Sequence, residues 1–110
     1  MSVDDRLGPL FAALADPTRR EMVAAMVRDG STSVPALSST LPITRQAIAK
    51  HLTTLHDAGL LDRAPSAGRE VRYSLRAGAL DPALAWLGET DRAWEARLVR
   101  LKGSVERGVE

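Results

Sequence analysis

Between Thr44 and Lys50 the chain sets an arginine, a glutamine and a lysine within two helical turns, in the order Thr44-Arg45-Gln46-Ala47-Ile48-Ala49-Lys50. An arginine fork can bond the edge of guanine at two points, and a side-chain amide can do the same on adenine. Lys50, one turn further along, suits a phosphate or a base edge, and Ala49 leaves room for close approach. Thr44 can cap a helix with its hydroxyl, and a helix N-terminus also seats a phosphate. The chemistry these side chains suggest is recognition of nucleic acid by hydrogen bonding. The competing reading is an ordinary solvated helix face.

Bond-making chemistry finds little support. There is no cysteine, so a thiol nucleophile and a thiolate metal site are excluded. The two histidines, His51 and His56, have no carboxylate orienter in a motif, and no glycine-rich phosphate loop is present. We expect no catalytic residue, no metal site and no cofactor. His51 falls between the buried and exposed faces of its helix, where either a contact to a DNA backbone or packing accounts for it. His56 reads as a surface residue.

The elements that must hold these residues are written locally. Thr44 is the N-cap of a helix, with Ile43 at N′ and Ile48 at N4 as a hydrophobic staple. Ile48, Leu52 and Leu55 form its inward stripe. Gly59 follows Ala58 as a C′ glycine, so that Leu60 can fold back onto Leu55. Ahead of it, Ser33 caps a short helix with Val34, Leu37 and Leu41 on one side, which must stop before Pro42. Helices over about 34–40 and 45–58, joined at Leu41-Pro42-Ile43, have helix-turn-helix spacing.

Two strand-like runs follow, LLDRAP and REVRYSL, separated by Ser66-Ala67-Gly68. Val71, Tyr73 and Leu75 alternate with Glu70, Arg72 and Ser74, the period of a half-buried strand. A helix-turn-helix about 34–58 followed by a hairpin about 60–76 is the winged-helix arrangement. On this wing Arg69, beside the tip, is a minor-groove or phosphate candidate, with Arg72 next to it. Arg63 and Arg76 are candidates for phosphate contacts alone, and Ser38 and Ser39 for weak ones.

Upstream, residues 4–14 suggest a short helix. Asp16-Pro17 starts another that ends at Gly30, with Met22, Val23, Met26 and Val27 on its apolar face. Arg19 and Arg20 lie in its first turn, where a structural ion pair or plain surface is expected in preference to a DNA contact. Downstream, Asp81-Pro82 starts a helix over about 82–105. Leu84, Leu87, Trp94, Leu98, Leu101 and Val105 fall on steps of three and four, with Asp91 interrupting them. This seam reads either as packing on its own domain or as a two-helix dimer interface, and its length favours the dimer. Trp86 and Trp94 belong either to that dimer core or to an apolar pocket.

With 110 residues, 45% of them apolar, the chain reads as a single domain over 1–110. No apolar run is long enough to span a membrane and the N-terminus has no signal-peptide core, so a soluble, intracellular, cytoplasmic protein is expected. The net charge is only +1, yet residues 44–76 carry six basic against three acidic side chains. Both flanks are net −1. A local basic stretch matters more for nucleic acid than the overall balance.

The runs LFAALADPTRREMVAAM, TRQAIAKHLTTLHDAGLL and GREVRYSL together resemble the ArsR-type winged helix-turn-helix transcriptional repressors, from about Leu10 through the last helix. The resemblance implies a homodimer that binds an imperfect palindrome in a promoter and responds to some signal. Metal-sensing members carry a Cys-x-Cys pair where this chain has Ser33 and Pro35. A second kind of site uses Asp and His on the last helix, which here has no histidine. No metal-sensing residue is therefore carried over. The signal is open: a small apolar molecule, another protein, or the protein's own concentration.

The expectation is thus a mainly α protein with a small β-hairpin wing, dimeric through its terminal helices and acting on double-stranded promoter DNA. Thr44, Arg45, Gln46, Lys50, His51, Arg69 and Arg72 are the DNA-binding candidates. Leu84, Leu87, Trp94, Leu98 and Leu101 are the dimer-interface candidates. The alternative is a winged-helix module that binds a protein and has no specific DNA.

Overall fold

The computed structural model describes residues 5–66, 68 and 70–109. The element order is α1 (Leu7–Leu14), α2 (Pro17–Asp29), α3 (Val34–Ser38), α4 (Arg45–Asp57), β1 (Leu61–Pro65), β2 (Val71–Leu75) and α5 (Asp81–Val109). The chain divides between Leu80 and Asp81 into two compact units.

In the first unit α2, α3 and α4 each begin where a polar side chain replaces a missing backbone partner, whereas α1 has no side-chain cap. Asp16 accepts from the amides of Thr18 and Arg19, and Pro17 follows at the first helical position. Ser33 accepts from the Ala36 amide and Thr44 from the Ala47 amide. The stop of α4 is a Schellman turn: the Gly59 amide donates to His56 and the Leu60 amide to Leu55, with Gly59 at φ +84°. A side chain at Gly59 would be strained there.

The core lies where α1, α2 and α4 meet. Leu7, Leu10 and Ala13 come from α1, Met22, Ala25 and Met26 from α2, and Leu37 from α3. Ile48, Leu52 and Leu55 of α4 are 0% exposed, as are Leu60 and Leu61 after it. Each such side chain contributes about 1.5–3 kcal/mol by leaving water.

Three local features differ from expectation. Helix α3 ends at Ser38, short of the expected 40, and the chain tightens after it into an i→i−3 turn in which the Thr40 amide donates to the Leu37 carbonyl. On α2 the buried face is Met22, Ala25 and Met26, while Val27 is 68% exposed on the far side. The hairpin pairs Leu61 with Leu75 through Pro65 with Val71, yet only Leu61 is buried and residues 72–75 are all half-buried.

The second unit is α5 alone, 29 residues or about 43 Å long. It extends four residues past the expected end. Leu84, Leu87, Trp94, Leu98, Leu101 and Val105 are all exposed, by 39 to 64%.

Candidate nucleic-acid interface

The buried stripe of α4 fixes which side of that helix faces out. With Ile48, Leu52 and Leu55 turned into the core, Arg45, Gln46, Ala49 and Lys50 are exposed at its N-terminal half. Arg45, Gln46 and Lys50 make no side-chain hydrogen bond or ion pair with another of the described residues. Thr44 is occupied locally, its Oγ1 accepting from the Ala47 amide at 3.1 Å. A cleft of about 490 Å³ is lined by Val34, Pro35, Arg45, Glu70, Val71 and Tyr73, so Arg45 stands where α4 faces the wing.

The remaining candidates divide by what already holds them. His51 is half-buried, and its Nδ1 lies 3.2 Å from the Arg19 guanidinium. Arg72 donates from Nε and Nη2 to the Ser31 hydroxyl at 3.1 and 2.9 Å, with Glu70 3.8 Å away. Arg76 pairs with Asp62 at 3.0 Å. Arg63 is exposed, without a side-chain partner among the described residues. Arg69 lies outside the described residues. Ser39 bonds the Ala36 carbonyl.

Arg19 and Arg20 serve the fold. Arg19 donates to the carbonyls of Ala13 and Ala12 at 2.7 and 3.2 Å, and Arg20 to that of Leu14 at 2.7 Å. These carbonyls lie in the last turn of α1, where positive charge is favoured by the helix dipole, and that of Ala12 also accepts from the Ala15 amide. Asp16 adds an ion pair to Arg19 at 3.9 Å. The amide of Arg19 does most to hold the Asp16 carboxyl below the usual carboxylate range. Sequence reasoning missed Ser31. A residue bonded to another 41 positions away leaves no local signal.

A family model described as a helix-turn-helix domain matches residues 14–64. The chain is 36% identical over 90 residues to an HTH-type transcriptional regulator from Mycobacterium tuberculosis, covering 80% of this chain and 78% of that protein. A 36% match to an arsenic resistance transcriptional regulator from Pseudomonas putida is shorter, covering 47% of this chain and 41% of that one. An ArsR-like transcriptional regulator from Rhodococcus superimposes with a TM-score of 0.81 at 37% identity, over 92% of this chain and 91% of that one.

The chain belongs to the ArsR-type family of winged helix-turn-helix transcriptional regulators.

As an ArsR-type regulator it is a DNA-binding protein, and the relatives it matches are regulators, not enzymes. Its α3 does not fit the thiolate metal site of metal-sensing members. Ser33 is 0% exposed and uses its hydroxyl as the α3 cap, while Pro35 has no side-chain donor atom. Among the described residues of this ArsR-type chain, no helix is long and apolar enough to cross a membrane.

Proposed function

We propose that the protein is a homodimeric repressor that binds a palindromic promoter operator in the cytoplasm, with α4 in the major groove. The observation that carries this reading is the free, exposed trio Arg45, Gln46 and Lys50 on a helix whose opposite face is wholly buried. In such a docking the N-terminal half of a recognition helix meets the base edges. Arg45 and Gln46 read bases, and Lys50 takes a phosphate or a base edge. Thr44 brings the N-terminus of α4 to a phosphate. His51, whose Nδ1 faces Arg19, has Nε2 left for the DNA backbone. Arg63 and Arg69 supply the wing's contacts.

The dimer follows from α5. Six large apolar side chains on one heptad-like seam stand in water, which is costly unless a second copy covers them. A two-fold dimer matches a two-fold operator, with half-sites about one helical turn apart. The signal that releases the DNA is not a thiolate-bound metal. Footprinting on the DNA upstream of the protein's own gene tests the reading. It predicts one protected site with two inverted half-sites. Protection without symmetry, or none above that of unrelated DNA, would count against it.

A further inference from the structure

We propose that Arg72 is a positioning residue that locks the wing to the helix-turn-helix through Ser31, and that it does not contact phosphate. This rests on the wing meeting DNA, as read above. Although it lies on the wing of a basic segment, its guanidinium is already engaged. Nε and Nη2 both point at the Ser31 hydroxyl, at 3.1 and 2.9 Å, and Nη1 faces the Glu70 carboxylate at 3.8 Å. The side chain is 36% exposed. Two of its five N–H donors are held by Ser31 and Nη1 faces Glu70, so a phosphate would have to compete with Glu70 for the donors that remain.

The next residue along each chain segment adds to the clasp. Thr32 and Tyr73 exchange both backbone hydrogen bonds, each 2.8 Å long, as an isolated antiparallel bridge. Thr32 is 4% exposed. Residues 31–32 thus hold residues 72–73 by two side-chain and two backbone bonds. They directly precede Ser33, the N-cap of α3. A two-stranded hairpin alone is marginal in water. Here the connection between α2 and α3 gives it a partner on its open edge, and so sets where the wing stands relative to the reading helix. Arg63 is the residue this placement serves. It pairs with Tyr73 in the hairpin register, and it is exposed and free of side-chain partners among the described residues.

The test uses the full chain and a duplex that it selects from a random-sequence library. Affinity is measured over a series of salt concentrations for the wild type and for Ser31→Ala, Ser31→Thr, Arg72→Gln, Arg63→Gln, and the Ser31→Ala/Arg72→Gln and Arg72→Gln/Arg63→Gln pairs. Ser31→Ala and Arg72→Gln are each expected to weaken binding about three- to tenfold. Together they should do little more than either alone, because they break one interaction. Ser31→Thr restores the hydroxyl and the affinity. Neither loss changes the salt slope, whereas Arg63→Gln lowers it by about one. With Arg63 gone, Arg72→Gln should have little left to weaken, an outcome that a general loss of stability would not produce.

A second arm needs no DNA. Hydrogen exchange at the Thr32 and Tyr73 amides should speed up in Ser31→Ala and in Arg72→Gln while the amides of α4 stay protected. The proposal is overturned if Arg72→Gln lowers the salt slope by about one while Ser31→Ala is silent, since Arg72 would then be a phosphate contact. It is equally overturned if the two losses add fully, or if neither moves affinity or exchange. Failure to select any duplex would sink the DNA reading of the wing, and the exchange arm would still decide whether the clasp exists.

Discussion

The Arg19 guanidinium stands 3.2 Å from Nδ1 of His51 and ties the first turn of α2 to the middle of α4. A guanidinium can only donate, so Nδ1 is the acceptor in this contact. The same guanidinium donates to the carbonyls of Ala12 and Ala13. One side chain therefore joins α1, α2 and α4. The proposed base-reading residues begin six positions before His51, on the helix that this side chain ties to the rest of the first unit.

Replacing Arg19 with methionine keeps much of its apolar stem and removes all of these bonds. We expect a loss of about 1–3 kcal/mol in urea unfolding, since the last turn of α1 loses the guanidinium bonds to its carbonyls. An unchanged unfolding midpoint would show that the tie carries no weight.

Asp16 makes stability depend on pH at the acid end. Its carboxylate accepts from the Thr18 amide at 2.7 Å and the Arg19 amide at 3.2 Å. The Arg19 amide lowers its pKa most, the Thr18 amide and the Arg19 guanidinium add to that, and desolvation opposes them. A carboxyl whose folded pKa is lowered stabilises the fold above its unfolded value, near 3.9. That contribution fades as the pH falls from there through the lowered value. Asp16→Asn should flatten this acid limb in unfolding measured between neutral pH and pH 2. An acid limb as steep as that of the wild type would assign the effect elsewhere.

Arg45→Ala and Gln46→Ala should alter which sequence is preferred more than they alter affinity for unrelated DNA. Each lost bidentate contact is worth about 1–3 kcal/mol of discrimination at one base pair. Binding to a panel of single-base operator variants reads this directly. An unchanged preference in both variants would remove α4 as the reading element.

Leu87→Glu or Leu98→Glu on α5 should split the proposed dimer. Sedimentation at micromolar concentration is expected to give twice 11.8 kDa for the wild type and 11.8 kDa for either variant. A wild-type monomer under these conditions would contradict the role given to the α5 seam.

Much of this architecture is readable because it is governed by short-range rules. Asp16, Ser33 and Thr44 each cap the helix that their residue type and the following residues predict, and Gly59 ends α4 as a C′ glycine must. The outward trio on α4 follows from the position of Ile48, Leu52 and Leu55. What could not be read is long-range. Arg72 looks like any wing arginine until Ser31, 41 positions away, is seen to hold it. His51 was ambiguous for the same reason, since its partner Arg19 lies 32 positions away. The wing's alternating pattern likewise suggests a burial contrast, whereas residues 72–75 of β2 are all half-buried.

The central claim, sequence-specific recognition of DNA through α4, is tested most directly by fluorescence anisotropy. The labelled probe is the duplex upstream of the protein's own gene, titrated at two salt concentrations with and without excess unrelated duplex. The account predicts binding that weakens with salt yet survives the competitor. If that duplex is not the target, a duplex the protein selects from a random library takes its place, with the same prediction. Binding that the competitor abolishes on both duplexes would contradict the claim and favour a winged helix that meets a protein instead.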